Sequence, residues 1–599
     1  MSAARYLAAL VWRTAPWHVL ACLVVALAEA ALPIALVWLT KLALDRLVTP
    51  GPLELLLGLA AGLVVAGLVG AVTPQLGQYV RAELDRRVGR RAKDELFAAV
   101  ERFGGLSRFE NPEFLDRLRL AQQSAEMPGR LLDAAFQLGR GAVTLAGLLG
   151  SLAVIAPWFA AVVVVASVPA FLLEVRLSRR RADMLWQIGP AERREHFYAF
   201  LLASAEAAKE IRLLGLGPFL RGRMNAELRA SDQARRLVDR RELSVQGLLA
   251  VLAALVAGGG LLWVVAAAGR GALTVGDVSM FIAAVAGVQA AINGLVNATA
   301  TAHQQLAMSV HYLDVVSLSS DLSAPREPRA LPALRRGIEL RDVWFRYSDG
   351  HPWVLRGVDV FLPHGRAVGL VGHNGSGKST LVKLLCRFYD PQRGEILWDG
   401  VNIRDVPAEE LRARLAVVFQ DFMSYDFTAH DNIAVGDLTA SRERIEEAAE
   451  QAGVHDTLAA LPLGYETLLT RVFFTASDEG DPQVGVLLSG GQWQRIALAR
   501  AFLRQERDFM ILDEPSAGLD PEAEHDLHAR LREVRAGRTS LLISHRLSAV
   551  READVIVVLA GGVVAEEGDH AGLLAAGGTY ARLFTIQAAG YVDPEGVLS

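Results

Sequence analysis

Long apolar runs dominate the first half of the chain, and short apolar runs broken by glycine turns dominate the second. Residues 55–80, 243–268 and 278–302 contain no Asp, Glu, Lys or Arg, and residues 14–40 are interrupted only by Glu29. Each run exceeds the roughly 20 apolar residues that cross a bilayer as a helix. Residues 141–173 lack such charges throughout, with Pro157 near the middle. At about 1.5 Å per residue they reach about 50 Å, more than one crossing and short of two. The pattern therefore predicts a tight hairpin of two spans turning near Pro157, with Arg140 snorkelling to the interface. The total is six spans. A cleaved signal peptide is a poor reading of the first run, because it continues through "ALPIALVWL" well beyond a signal core.

Between the spans, 81–140 and 174–242 are long and arginine-rich, whereas 41–54, the turn near 157 and 269–277 are short and carry little charge. The positive-inside rule places the long segments in the cytosol. Six spans put both termini there as well. The long segments read as helical extensions of the spans, acting either as solvated stalks or as levers that touch another domain. In the last span Gln289, Asn293 and Asn297 recur every four residues, with Thr301 continuing the series. At 100° per residue the first three lie within about 80° of one another. Polar groups in a bilayer seek partners or water, so this stripe either lines a cargo cavity or bonds neighbouring helices. Glu29 is a further candidate for the cavity.

Composition fits this division: 599 residues, 52% hydrophobic and 21% charged, with mean hydropathy +0.28. The net charge of −5 gives no reason to expect a nucleic-acid partner. Cys22 and Cys386 fit no metal or disulfide framework. Lysine occurs only at 41, 93, 209, 378 and 383, which makes Lys378 stand out as a point-charge phosphate binder in an arginine-biased chain.

After residue 316, "SLSSDLSAPREPRALPALRRG" reads as a Ser/Pro-rich linker. The domains expected are thus 1–316 (six spans and two cytosolic coupling loops), 317–336 (linker) and 337–599. From Gly337 onward, strand-like runs alternate with helical stretches, an α/β pattern. Within it "GHNGSGKST" satisfies G-x-x-x-x-G-K-[ST] between a strand and a helix, so 372–379 is a P-loop. Backbone N–H groups around Gly372, Asn374, Gly375, Ser376 and Gly377 would cradle phosphate. Lys378 would meet the β- and γ-oxygens and Ser379 a Mg²⁺ ion. "FMILDE" is an apolar strand ending in two carboxylates: Asp513 is placed to hold the metal, and Glu514 to accept a proton from the attacking water. "LSGGQ" offers a second set of backbone N–H groups at a helix start, at Ser489, Gly490 and Gly491.

In these motifs residues 337–585 resemble the ATP-binding cassette (ABC) domain. With the six spans, the whole chain resembles a bacterial ABC exporter half-transporter of the multidrug or peptide type. The fold implied is an α-helical membrane domain with long cytosolic extensions plus an α/β P-loop ATPase domain. The resemblance assigns Tyr347 in "VWFRYSDG" to adenine stacking, Thr380 to the phosphate site, Gln420 in "VVFQD" to the Q-loop, where it touches the metal and the attacking water, Ser489–Gln492 to the signature, Asp520 in "SAGLD" to the D-loop and His545 in "LLISHRLS" to the switch histidine. It implies ATP and Mg²⁺ as ligands and two cassettes dimerised head to tail, the signature of one capping the nucleotide on the P-loop of the other. The chain would pair with a second copy of itself, a heterodimer being the alternative. "FENPEFLDRLRLA" (109–121) and "IRLLGLGPFL" (211–220) resemble the coupling helices.

The implied function is an ATP-hydrolysing exporter in the bacterial plasma membrane, with its cassette and termini in the cytoplasm. It would move a peptide natural product, a drug-like molecule or a lipid by alternating access. Alternatives are an ATP-gated channel or regulator, or an importer on the same fold. No cysteine-peptidase segment precedes the spans, so leader cleavage by this chain is not expected. One departure stands out: the "TxVGExG" motif common before the signature is missing from 471–487.

Overall fold

The computed structural model describes residues 3–49, 52–126, 129–323, 325, 327–470, 485–517 and 521–589. Residues 471–484 of the altered stretch 471–487 and the D-loop Asp520 lie outside them. The chain divides into two units: Met1–Glu101 with Glu113–Leu318, and Arg102–Pro112 with Ser319–Ser599.

The first unit is entirely helical. Its elements are α1 (Ala3–Thr14), α2 (Pro16–Val48), α3 (Leu53–Glu101), α4 (Pro112–Glu126), α5 (Gly129–Ile155), α6 (Pro157–Ala203), α7 (Ala205–Leu213), α8 (Gly217–Gly269) and α9 (Val275–Val316). Among the described residues α2, α3, α5, α8 and α9 are long and apolar enough to span a membrane. The sixth long helix, α6, opens with the apolar stretch Pro157–Ala166. The break between α5 and α6 falls at Ala156, with Pro157 taking the first helical position, where its missing N–H is harmless. Helix α8 has 53 residues, about 80 Å at the helical rise, so much of it must extend beyond a hydrocarbon layer of about 30 Å.

A charge in a medium without water needs a partner, and Glu29 has two. Glu29 on α2 accepts hydrogen bonds from Arg140 on α5 and from Arg81 on α3. Arg140, expected to reach for the interface, pairs with the half-buried Glu29 on another helix. The start of α9 is fastened to the end of α2. Thr274 and Asp277 form a capping box, Lys41 pairs with Asp277, and Asp45 accepts the N–H of Gly276 at 3.0 Å. A Cβ on Gly276 would lie 2.5 Å from the Lys41 carbonyl oxygen, so only glycine permits this approach.

The second unit is built on two sheets. An antiparallel sheet runs in the order β2 (Leu355–Pro363), β1 (Gly337–Phe345), β4 (Arg393–Trp398), β5 (Val401–Asn402). The other runs β10 (Val563–Gly568), β9 (Val555–Ala560), β3 (Ala367–Val371), β8 (Thr539–Ile543), β7 (Phe509–Asp513), β6 (Leu415–Val418). All of its neighbours pair in parallel except β10 with β9. Strands β7 and β8 are buried at every position, which is why they read as unbroken apolar runs rather than alternating ones. The last part of the expected linker packs onto this unit. Leu331 and Leu334 join the core around β1, and the Pro332 carbonyl accepts the Trp398 indole N–H at 3.0 Å.

Residues Arg102–Pro112, from between α3 and α4, belong to this second unit. The Leu106 N–H donates to the Phe388 carbonyl at 3.2 Å, and Glu110 accepts from Lys383 Nζ at 2.6 Å and Tyr389 Oη at 2.5 Å. Burial works to raise the Glu110 carboxyl, but these two hydrogen bonds outweigh it and hold it below the usual range. The segment seated on the cassette core is therefore Arg102–Pro112. The expected 109–121 runs mostly along α4, which belongs to the helical unit.

Candidate nucleotide site and membrane cavity

The P-loop follows the C-terminal end of β3, where a strand-to-helix turn leaves backbone N–H groups free for an anion. Gly375 (φ +79°) and Gly377 (φ +106°) adopt the left-handed region. A Cβ on Gly377 would also meet the Leu355 side chain at 2.6 Å. Helix α10 (Lys378–Leu385) starts directly after it. Lys378 Nζ curls back to donate to the carbonyls of Gly372 (2.8 Å) and His373 (3.1 Å), and burial lowers its pKa. The Ser376 hydroxyl is buried without a hydrogen-bond partner. A buried ammonium resting on carbonyl oxygens and an orphaned hydroxyl are what a phosphate group would satisfy. Asn374 and Ser379 are exposed on the same turn.

Asp513 ends β7 and is buried. Burial first, and the adjacent Glu514 second, push its carboxyl up to about 6, against a hydrogen bond from Ser379. The Ser379 hydroxyl and the Asp513 carboxylate thus meet, an oxygen pair suited to a hard cation. The uncompensated carboxylate also sets a pH dependence. Its folded pKa lies above the ordinary 3.8, so its stability contribution is complete below about 4 and is lost as pH rises to about 6. Asp513→Asn is expected to raise the melting temperature of the nucleotide-free protein at pH 7.5. The gain, up to about 3 kcal/mol, grows between pH 4 and 6 and is constant above. ATP hydrolysis is expected to fail in the same variant. Melting curves across pH check this; a variant melting below wild type at pH 7.5 refutes it.

Glu514 lies just past β7 and adopts φ +52°, a left-handed conformation uncommon for a side-chain-bearing residue. Its N–H donates to Ile543 O at 2.9 Å. Gln494 donates to the carbonyls of Glu514 (3.3 Å) and Pro515 (3.0 Å). Such backbone strain persists only where the surroundings over-determine it. Its result is the placement of Glu514 Oε2 2.8 Å from His545 Nδ1. The pairing follows from register: Asp513 lies opposite Ile543 in the parallel β7–β8 ladder, so residues just past both strand ends meet. Gln420 leaves the same edge, two residues beyond β6, which pairs with β7, and is exposed.

Tyr347 is 39% exposed, with its hydroxyl 3.1 Å from Thr380 Oγ1. Its ring meets Phe345 and Tyr389 edge-on and has Lys383 Nζ 5.2 Å from its centroid. The signature helix Gly490–Phe502 opens with a capping box: Ser489 N–H donates to Gln492 Oε1 at 2.8 Å and Gln492 N–H to Ser489 Oγ. Ser489 and Gln492 therefore spend these groups on the helix start, and the N–H groups of Gly490 and Gly491 lie outside the box. The buried Gln494 was missed by sequence reasoning. So was Arg500, which ties this helix to Met423 O (2.6 Å) and to Asn432 and whose pKa burial lowers to about 10. Polar residues on an otherwise buried helix face were the available signal.

In the helical unit, α6, α8 and α9 enclose a cavity of about 610 Å³. Gln289, Asn293, Asn297 and Gln246 line it among apolar side chains. Gln289 also donates to Ala253 O at 3.5 Å.

The model of the ABC transporter family matches residues 355–517. Over 561 residues, 92% of this chain and 74% of the relative, the sequence is 33% identical to the cyclolysin secretion/processing ATP-binding protein CyaB of Bordetella pertussis. The chain belongs to the ABC transporter family. Other relatives of this ABC transporter match about half of either chain: an ATP-dependent lipid A-core flippase of Syntrophus aciditrophicus (38% identity; 53% of this chain, 50% of the relative) and a putative multidrug export ATP-binding/permease protein of Bacillus subtilis (36%; 53% of each). Among solved structures, a bacterial Atm1-family ABC exporter with ATP bound superposes with a TM-score of 0.81 at 26% identity, covering 96% of this chain and 98% of the other. The transporter is thus a half-transporter of the exporter type, a membrane protein that couples ATP hydrolysis to transport, and half-transporters of this family typically work as dimers.

Proposed function

We propose that two copies of this chain sandwich two ATP molecules and export an amide-bearing cargo from the cytoplasm. The Glu514–His545 contact at 2.8 Å carries the reading. Glu514 takes a proton from the attacking water, and His545 holds that carboxylate in place and faces the γ-phosphate. Lys378 leaves its two carbonyls for the β- and γ-oxygens, and Tyr347 offers its ring to adenine. The partner's signature helix supplies Gly490 and Gly491 N–H groups to the same phosphate, with Ser489 and Gln492 fixing that helix start and Asp520 at the subunit junction. Ser379, Gln420 and Asp513 would hold Mg²⁺, which neutralises charge on the phosphate oxygens.

Closure of the cassettes on ATP would reach the spans through Arg102–Pro112 and through the turn after α7, where Leu213 and Phe219 stand exposed and suit a groove on the partner's cassette. The arginine-rich arms support a reading with the cassettes and both termini in the cytoplasm. The cargo reading rests on the amide row in the α6–α8–α9 cavity. It agrees with a match over 92% of this chain to a protein named for secretion of cyclolysin. The purified dimer in lipid, screened with peptides, drug-like molecules and lipids for stimulation of ATP turnover, tests it. For any compound that stimulates, Asn293→Leu is expected to raise the half-maximal concentration at least fivefold while leaving unstimulated turnover within twofold. An unchanged half-maximal concentration removes Asn293 from the cargo path.

A further inference from the structure

His545 stands on a segment that the strand order alone does not hold. Past β8 the backbone turns through Ser544–Arg546 into a single turn of helix, Leu547–Val550, which has no side-chain cap of its own. Gln587, on the helix Thr579–Ala589, provides one from far along the chain. Its Oε1 accepts the N–H of Leu547 at 2.9 Å, and its Nε2 donates to the carbonyl of His545. One partner is only a donor and the other only an acceptor, so the amide orientation follows from chemistry. The helix bearing Gln587 is itself fixed. Tyr580 is fully buried, its hydroxyl is 2.8 Å from His570 Nδ1, and Glu566 accepts the N–H groups of Thr579 and Tyr580.

We infer that Gln587 is a positioning residue for hydrolysis, clamping the backbone that directly follows the His545 side chain so that the imidazole stays on Glu514. The inference rests on the role of His545 proposed above. A primary amide is required: a hydrocarbon of the same length leaves both backbone groups unpaired, and a carboxylate would face the His545 carbonyl with no proton to donate. With the clamp open, the imidazole leaves Glu514 for part of the time. Glu514 is then less often held in the position from which it meets the attacking water.

The test measures ATP turnover of the full-length protein in lipid for wild type, Gln587→Met, Gln587→Glu and His545→Ala. Both Gln587 variants are expected to lower kcat five- to twentyfold and to leave KM for ATP within twofold. Fluorescent-nucleotide binding reports whether each variant is folded, and the near-isosteric Glu variant covers failure of the Met variant to fold. A kcat within twofold of wild type for the folded variants overturns the inference. So does a lower kcat accompanied by a KM for ATP raised more than twofold, which is the mark of a merely structural contact. If His545→Ala itself keeps wild-type kcat, the reading of His545 fails instead.

Discussion

Replacing Glu514 by glutamine is expected to lower steady-state ATP turnover by two to three orders of magnitude while leaving ATP bound. The side chain keeps its shape and loses only its capacity to accept a proton. General-base catalysis is worth about 10²–10⁴ in rate, and the residue is held by a left-handed backbone, a hydrogen bond from Gln494 to its carbonyl and the contact with His545. With hydrolysis blocked, the closed dimer is expected to accumulate. Phosphate release and nucleotide retention, measured on the same preparation, check both halves. A variant that hydrolyses within threefold of wild type removes Glu514 from the base role.

Lys378→Ala is expected to act earlier, on binding. In the absence of nucleotide the ammonium is spent on the Gly372 and His373 carbonyls. With ATP present it would exchange those neutral acceptors for charged phosphate oxygens, each such bond being worth about 1.5–3 kcal/mol. Losing one or two of them predicts an affinity weaker by about two orders of magnitude. The variant no longer has the two carbonyl bonds to give up on binding, which offsets part of the loss. Titration with fluorescent ATP measures this, and a shift below fivefold excludes Lys378 as the main phosphate contact. The two variants separate binding from chemistry: Glu514→Gln keeps the ligand and stops the reaction, whereas Lys378→Ala loses the ligand.

Much of this was legible along the chain because local physics dictates it. A run of some twenty apolar residues has few stable places other than a bilayer, and a glycine-rich turn between strand and helix has a limited set of backbone shapes. The long helices, the P-loop and the paired carboxylates of "FMILDE" could be read for that reason. Pairings between distant residues could not. Glu29 read as a lone charge in a span, yet it sits between Arg81 and Arg140 from two other helices. The residues that belong to the cassette unit, Arg102–Pro112, overlap only the first four residues of the stretch 109–121 that the motif suggested. Gln494, Arg500 and Gln587 carried no motif at all, because each acts on backbone carbonyls and N–H groups whose positions only the folded chain defines.

The sequence by itself determined that a set of apolar spans is joined to a phosphate-binding α/β domain, since periodicity, length and glycine placement are properties of neighbours along the chain. Only the tertiary structure decided which side chains share a site. Strand order puts the residue after Asp513 beside the second residue after Ile543, and helix packing gathers Gln289, Asn293 and Asn297 around one cavity with Gln246. Such contacts are set by the burial of whole faces against one another. Burial sums over the entire core, so no short stretch of sequence encodes them.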